Sequence, residues 1–190
     1  MKRLLLLNGS PHRDGATAAL IAACLGGTGD VALTRFDCFD APPAPCNDCG
    51  FCRTADGCRL HDLDAFYAAL EAADLLVFAA PVYNRSFPAP MKAVLDRLQR
   101  YWSARFVRGI RPPIARPKRT VLLTAGGSGR GDGEQLAHQL APILTILNSV
   151  PALTVHANNT DREPLPPAVL AAARAAGEQA ARDDNGKENN

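Results

Sequence analysis

With 190 residues, 47% of them hydrophobic, the chain is long enough for one ordinary domain with a packed, two-sided core and a tail. Its 21 Lys and Arg against 19 Asp and Glu leave a formal net charge of +2, a balance that selects no nucleic-acid, membrane or acidic partner by bulk charge. The apolar run behind Met1-Lys2-Arg3 stops at Asn8, too short for a secretory leader, and no segment reaches the ~20 apolar residues of a membrane span; a cytoplasmic protein is expected.

Leu4 to Leu7 is a short continuous apolar run ending in Asn8-Gly9-Ser10-Pro11, the pattern of a strand buried on both faces and closed by a turn. Ala16 to Leu25 reads as a helix stopped by Gly26-Gly27, and Val31 to Phe36 as a second strand. Ala41 to Pro45 breaks structure before a run of cysteines. Leu63, Phe66, Leu70 and Ala73 recur at helical spacing within Asp62 to Ala73, and Leu75 to Ala80 is a third buried strand closed by Pro81. Met91 to Tyr101 reads as one helix. Arg119 to Thr124 is a fourth strand entering a glycine-rich loop, Gly126 to Gly133. Glu134 to Leu147 is a helix kinked or restarted at Pro142. Pro151 to His156 gives a fifth strand, Pro166 to Arg182 a last helix, and Asp183 to Asn190 a polar tail expected to be disordered. Residues 1–182 are read as one domain, with a cysteine loop at 46–58 and no internal repeat.

Strands alternating with helices imply an α/β protein with a parallel sheet covered on both faces. Ligands of such sheets gather at the carboxyl ends of the strands, where strand order reverses. That rule selects three loops: Asn8 to Thr17, Pro81 to Pro90 and Ala125 to Gly133. In the first, free backbone amides and the positive end of the following helix favour an anion, with hydroxyls from Ser10 and Thr17 and charge from His12 and Arg13. A plain turn with Thr17 as a helix cap fits the same residues. The pattern of an ATP-binding P-loop is missing. In the second, a flat ring could stack on Tyr83 or Phe87 while Asn84 bonds its polar edge; in the third, Gly126-Gly127 lets the main chain approach and offer N–H donors. As rim residues and a mobile loop, these groups need no ligand. Gly127-x-Gly129-x-Gly131 follows the wrong strand for a dinucleotide fingerprint, and the next strand ends without the acidic ribose ligand.

Cys46-x2-Cys49-x2-Cys52-x5-Cys58 is the most specific pattern in the chain. Zinc sites usually join two separate Cys-x2-4-Cys knuckles, whereas thiolates at every third residue wrap one face of an iron–sulfur cube, with a fourth ligand further on. Spacing and ligand softness favour iron–sulfur, with zinc and free or redox-active thiols left open. Cys24 and Cys38 read as core thiols.

Asn8-Gly9-Ser10-Pro11-His12-Arg13-Asp14-Gly15-Ala16-Thr17 resembles the phosphate loop of the NADPH-dependent FMN reductase and iron–sulfur flavoprotein family. So do Ala73-Asp74 leading into Ala80-Pro81-Val82-Tyr83, and Met91-Lys92 leading to Asp96-Arg97; the cysteine run is similar to that of the family's iron–sulfur members. The resemblance covers roughly the first three-quarters of the chain. It implies a flavodoxin-like fold, doubly wound with five parallel strands in the order 2-1-3-4-5 and helices on both faces. It also implies FMN, with its phosphate at Ser10, His12, Gly15, Ala16 and Thr17 and its ring near Pro81, Val82, Tyr83, Asn84, Gly126 and Gly127. A four-iron four-sulfur cluster on Cys46, Cys49, Cys52 and Cys58 and a homodimer or homotetramer complete the picture. Many relatives carry Asn where this chain has Ala16, so amides and Thr17 must hold more of the phosphate.

The basic stretch from Lys92 to Arg119, interleaved with Tyr101, Trp102 and Phe106, reads either as a solvated connector or as a landing surface for an acidic redox partner or for NAD(P)H phosphates. The aromatics could pack at a subunit contact. No nucleic-acid module is recognisable, and His61, His138 and His156 read as ordinary residues. The expected function is an FMN-dependent NAD(P)H oxidoreductase with an iron–sulfur centre, passing electrons to a small molecule or a ferredoxin-like protein. A cluster-free NAD(P)H:quinone or flavin reductase and a non-catalytic, zinc-stabilised interaction domain are the alternatives.

Overall fold

A computed structural model describes residues 1–128 and 131–182. Its frame is a parallel sheet of β1 (Lys2–Asn8), β2 (Val31–Asp37), β3 (Leu75–Pro81), β4 (Arg119–Ala125) and β5 (Leu153–Ala157), in the order β2-β1-β3-β4-β5. This is the flavodoxin-like, doubly wound order, in which the winding reverses between β1 and β3. Gly129 and the expected tail from Asp183 lie outside the described residues.

Leu4 to Leu7 of β1 and Leu75 to Ala80 of β3 are at most 3% exposed. Side chains alternate across a strand, so these runs feed two cores. Leu5, Leu7, Leu76, Phe78 and Leu122 pack with α3 (Asp64–Ala72), α4 (Ala89–Arg97), α5 (Gln99–Phe106) and α6 (Asp132–Ile146). Leu4, Leu6, Val77, Val121 and Leu123 pack with α1 (Ala16–Leu25) and α7 (Pro167–Ala181). The second layer is thin because α1 and α7 touch backbone to backbone. A Cβ on Gly177 would stand 2.1 Å from the Cys24 carbonyl oxygen, and one on Gly27 2.1 Å from that of Arg174.

Three local expectations change. The helix expected over Met91 to Tyr101 is two helices, α4 and α5, meeting at Leu98, whose amide bonds back only three residues to Leu95 at 3.2 Å and ends the first. Pro142 lies inside an unbroken α6, pinned to the core by Leu136, Leu140, Leu144 and Ile146. Within the cysteine stretch a single turn, α2 (Phe51–Thr54), forms next to α5.

The basic stretch turns largely inward. Lys118 is 2% exposed and donates to the carbonyls of Glu71 and Ala73 at 3.2 and 2.7 Å, where cations are favoured at the end of α3. Arg100 stacks on the rings of Tyr67 and Tyr101 at 4.5 and 4.9 Å, Arg108 pairs with Asp56, and Arg116 with Asp74. Lys118 and Arg100 are internal braces, whereas Arg116 makes its pair at the surface. Trp102 and Phe106 remain exposed, their rings 5.4 Å apart.

Alanine adds roughly 1 kcal/mol to a helix interior relative to glycine, yet Gly177→Ala will lower stability, because overpacking a close contact costs about 1–3 kcal/mol. Urea unfolding reads the sum; an unchanged midpoint would mean that α1 and α7 separate freely.

Candidate functional site

Two pockets gather the residues singled out in the sequence. The first is a cleft of about 400 Å³ at the carboxyl ends of β1, β3 and β4. Its first wall is the loop entering α1. Gly15 precedes the helix with extended backbone (φ −84°, ψ −173°), and no side chain caps the terminus. The first helical amides therefore have no intrahelical acceptor, and Gly15, Ala16 and Thr17 line the cleft. Ser10 and His12 complete this wall. The Ser10 hydroxyl accepts the His12 amide at 3.2 Å, and the Ser10 amide donates to Asn8 Oδ1 at 3.1 Å. Asn8 in turn donates to Asp37, whose carboxyl is held below the usual range chiefly by Arg35. Gly9 is required by close approach: a Cβ there would lie 2.5 Å from Met91 Sδ of α4.

Pro81, Val82 and exposed Tyr83 form a second wall, and Gly126 and Gly127 a third. The Gly126 amide is committed to the Ala157 carbonyl at 2.9 Å, leaving that of Gly127 as the one able to serve a ligand. Thr160 and Asp161, which the sequence reading missed, close the far side. The Thr160 amide bonds the Gly126 carbonyl at 3.1 Å, and a Cβ on Gly127 would overlap the Asp161 carboxylate at 2.0 Å. The signal for them was their position just past the fifth strand, on the same edge as the other loops.

Three expected residues lie elsewhere. Phe87 is 4% exposed and packs in the core with Met91 and Val94, so it offers no stacking face. Arg13 points outward to Asp40 at 3.1 Å. Asn84 and Arg85 sit in the left-handed region (φ 50° and 61°), turning the chain between paired Tyr83 and Ser86, and Asn84 does not line the cleft. His156 gains a role instead. Its Nδ1 lies 2.7 Å from Thr124 Oγ1, and a Cβ on Gly133 would meet its ring at 2.6 Å. Burial lowers its pKa, so it supports the glycine loop as a neutral ring.

The second site is a pocket of about 30 Å³ lined by Cys46, Cys49, Cys52 and Cys58 together with Arg97 and Arg100. Asp48 and Gly50, at φ 49° and 73°, turn the loop between the thiols. Cys52 Sγ lies 3.4 Å from Ser103 Oγ of α5, and Cys58 Sγ accepts Arg97 Nη2 at 3.5 Å. Cys46 and Cys49 are exposed. Among the described residues, no three His, Cys, Asp or Glu side chains gather closely enough to hold a single ion. The donors thus match a soft metal group in kind and place, without being drawn together around one centre. Cys24 and Cys38 are core thiols, pushed up by burial to about 11 and about 12.

Fold and cleft define a class: a flavodoxin-like α/β protein whose carboxyl edge combines an uncapped helix start with a glycine-lined slot. The model of the NADPH-dependent FMN reductase family matches residues 2–161, and the chain belongs to that family. An iron-sulfur flavoprotein of Methanosarcina thermophila is 35% identical over 94 residues, 48% of this chain and 49% of that protein. An FMN-dependent NADH:quinone oxidoreductase of Gluconobacter oxydans is 34% identical over 85 residues, 40% of each chain. The chain spans about half the length of the curated iron-sulfur relatives it matches. The solved NAD(P)H:quinone oxidoreductase from Methanothermobacter marburgensis shares the fold, with a TM-score of 0.70, 14% identity, and coverage of 100% of this chain and 98% of that one.

Because the thiolate is the reactive form, the raised pKa values predict an order of modification. In metal-free native protein near pH 7.5, a thiol reagent will label Cys46 and Cys49 first, and Cys24 and Cys38 only on unfolding. Mass spectrometry of the labelled peptides reads the order; early labelling of Cys38 would contradict its burial.

Proposed function

We propose that residues 1–182 act as one FMN-dependent NAD(P)H oxidoreductase domain, and that Cys46, Cys49, Cys52 and Cys58 hold an iron–sulfur cluster. The observation that carries the first part is the uncapped α1 terminus opening into a cleft that also has a glycine wall. A phosphate fits the first amides of α1 with the hydroxyls of Ser10 and Thr17 and the ring of His12, since a helix start favours an anion. A flat ring fits between Pro81, Val82 and Tyr83 on one side and Gly126 and Gly127 on the other, within the ~300–1,000 Å³ usual for such ligands. Bound FMN would supply the electron chemistry. The chain's part is to grip and orient: the Gly127 amide can meet negative charge at the polar edge of the ring, and Asp161 can accept an N–H there.

The cluster reading is supported by the convergence of four soft donors on one pocket with four arginines, and by the relatives that carry the name iron-sulfur flavoprotein. A single zinc ion would need its thiolates within ~2.3 Å of one point, an arrangement the described residues do not approach. That same spread favours a second reading, a cluster-free NAD(P)H:quinone or flavin reductase. On the first reading electrons leave toward a small molecule or a ferredoxin-like protein, from a homodimer or homotetramer.

Anaerobically prepared protein will be yellow-brown, contain iron and sulfide, and release FMN on denaturation. Full FMN occupancy without iron would select the second reading; colourless protein that gives no FMN binding signal would end both. Thr17→Val removes a hydroxyl at the phosphate end without changing shape. It will raise the FMN Kd about tenfold, as expected for one hydrogen bond to a charged group. Fluorescence titration checks this, and an unchanged Kd would take Thr17 out of the phosphate site.

A further inference from the structure

We infer that Arg97 is the positioning residue of the cysteine pocket: it clamps both ends of the cysteine loop and gives the pocket a fixed positive charge suited to a metal cluster of net negative charge. The inference rests in part on the proposed cluster. Arg97 ends α4 and is 2% exposed. A buried guanidinium is costly unless its N–H groups are used. Here Nη1 donates to the Ala44 carbonyl at 3.3 Å and to Asp62, while Nη2 donates to the Leu60 carbonyl at 2.6 Å and to Cys58 Sγ at 3.5 Å. Ala44 lies two residues before the first pocket cysteine and Leu60 two after the last. Asp62 also accepts the Ala44 amide at 2.9 Å, so side chain, carboxylate and backbone form one closed knot at the base of the loop.

Closing that base in advance removes chain entropy that metal binding would otherwise have to overcome. The planar fork meets the two carbonyls with separate nitrogens, Nη1 and Nη2, where an ammonium would offer a single point on a flexible stem. The Arg97 Nε atom is buried without a partner, so its hydrogen bonds run through the two Nη groups. As for charge, Asp62 is 38% exposed on its side chain and therefore partly screened by water, while Arg97 is not exposed. Of the other arginines lining the pocket, Arg53, Arg59 and Arg100, the last pairs with Glu71 at 3.5 Å and Asp56 at 4.0 Å. Asp48 on the pocket wall is drawn to Arg53 at 2.8 Å. Four thiolates around an iron–sulfur core carry net negative charge, which grows on gain of an electron; a fixed cation beside Cys58 favours that reduced state.

The test compares full-length wild type with Arg97→Lys, Arg97→Met and Asp62→Asn, using FMN titration as the check that each has folded. In metal-free protein, trypsin will nick Arg97→Lys and Arg97→Met at Arg53 or Arg59 about tenfold faster than wild type, since cleavage follows the open population. After anaerobic loading with iron and sulfide, both variants will hold the cluster about tenfold more weakly, the usual loss when a group orienting a metal ligand is removed. A redox titration will find the Arg97→Met cluster harder to reduce and the Arg97→Lys cluster close to wild type. Asp62→Asn, altered at the exposed rim of the knot, will nick faster than wild type and carries the test should Arg97→Met not fold. Wild-type nicking rates in the variants overturn the clamp, and an unshifted potential in Arg97→Met overturns the charge role. Wild-type protein that takes up no iron withdraws the charge role with the cluster reading, and the nicking rates still decide the clamp.

Discussion

Leu4 to Leu7 of β1 and Leu75 to Ala80 of β3 are shut off from water on both faces, so these strands can serve a ligand only where they end. The winding reverses between them, which parts the loops at their carboxyl ends and leaves a crevice there. Each feature of the larger site follows from that placement. Asn8 leaves β1 and steers Ser10, Val82 leaves β3 with its amide tied to Ala125, and Gly126 leaves β4 tied to Ala157. The Gly9 amide in turn bonds the Ala79 carbonyl, so each exit is tied to the end of a neighbouring strand.

Much of this was legible in the residue order. Short apolar runs closed by Pro or Gly mark the three central strands, buried on both sides, and two weaker edge strands with the intervening helices complete the sheet. The loops after the first, third and fourth then follow from topology. What escaped depended on partners distant in sequence. Nothing local to Phe87 says that it turns into the core shared with Leu122, Leu136 and Leu140, nor to Arg13 that Asp40 draws it outward. The basic stretch reads as a solvated connector or a landing surface because the carboxylates that pair Arg97, Arg108 and Arg116, and the Tyr67 ring under Arg100, come from residues 56 to 74, distant in sequence. Pro142 reads as a kink or a restart; the helix does not restart, because the apolar face of α6 keeps it unbroken despite one missing hydrogen bond.

Helix α4 joins the two sites. Met91 near its start lies under Gly9 at the mouth of the cleft, and Arg97 at its end holds the cysteine loop. Six residues of helix separate them, about 9 Å along the axis. Shifts of α4 are therefore felt at both places, and the tightened turn at Leu98 lets α5 set off afresh and bring Ser103 against Cys52.

Trp102, the only tryptophan in the chain, stands on that same α5 one residue before Ser103, with its ring partly open to solvent. The molecule thus carries a built-in optical gauge beside its thiols. A light-absorbing metal group in the pocket would quench the emission of this indole, so loading can be followed in real time and without labels from the change in indole emission alone.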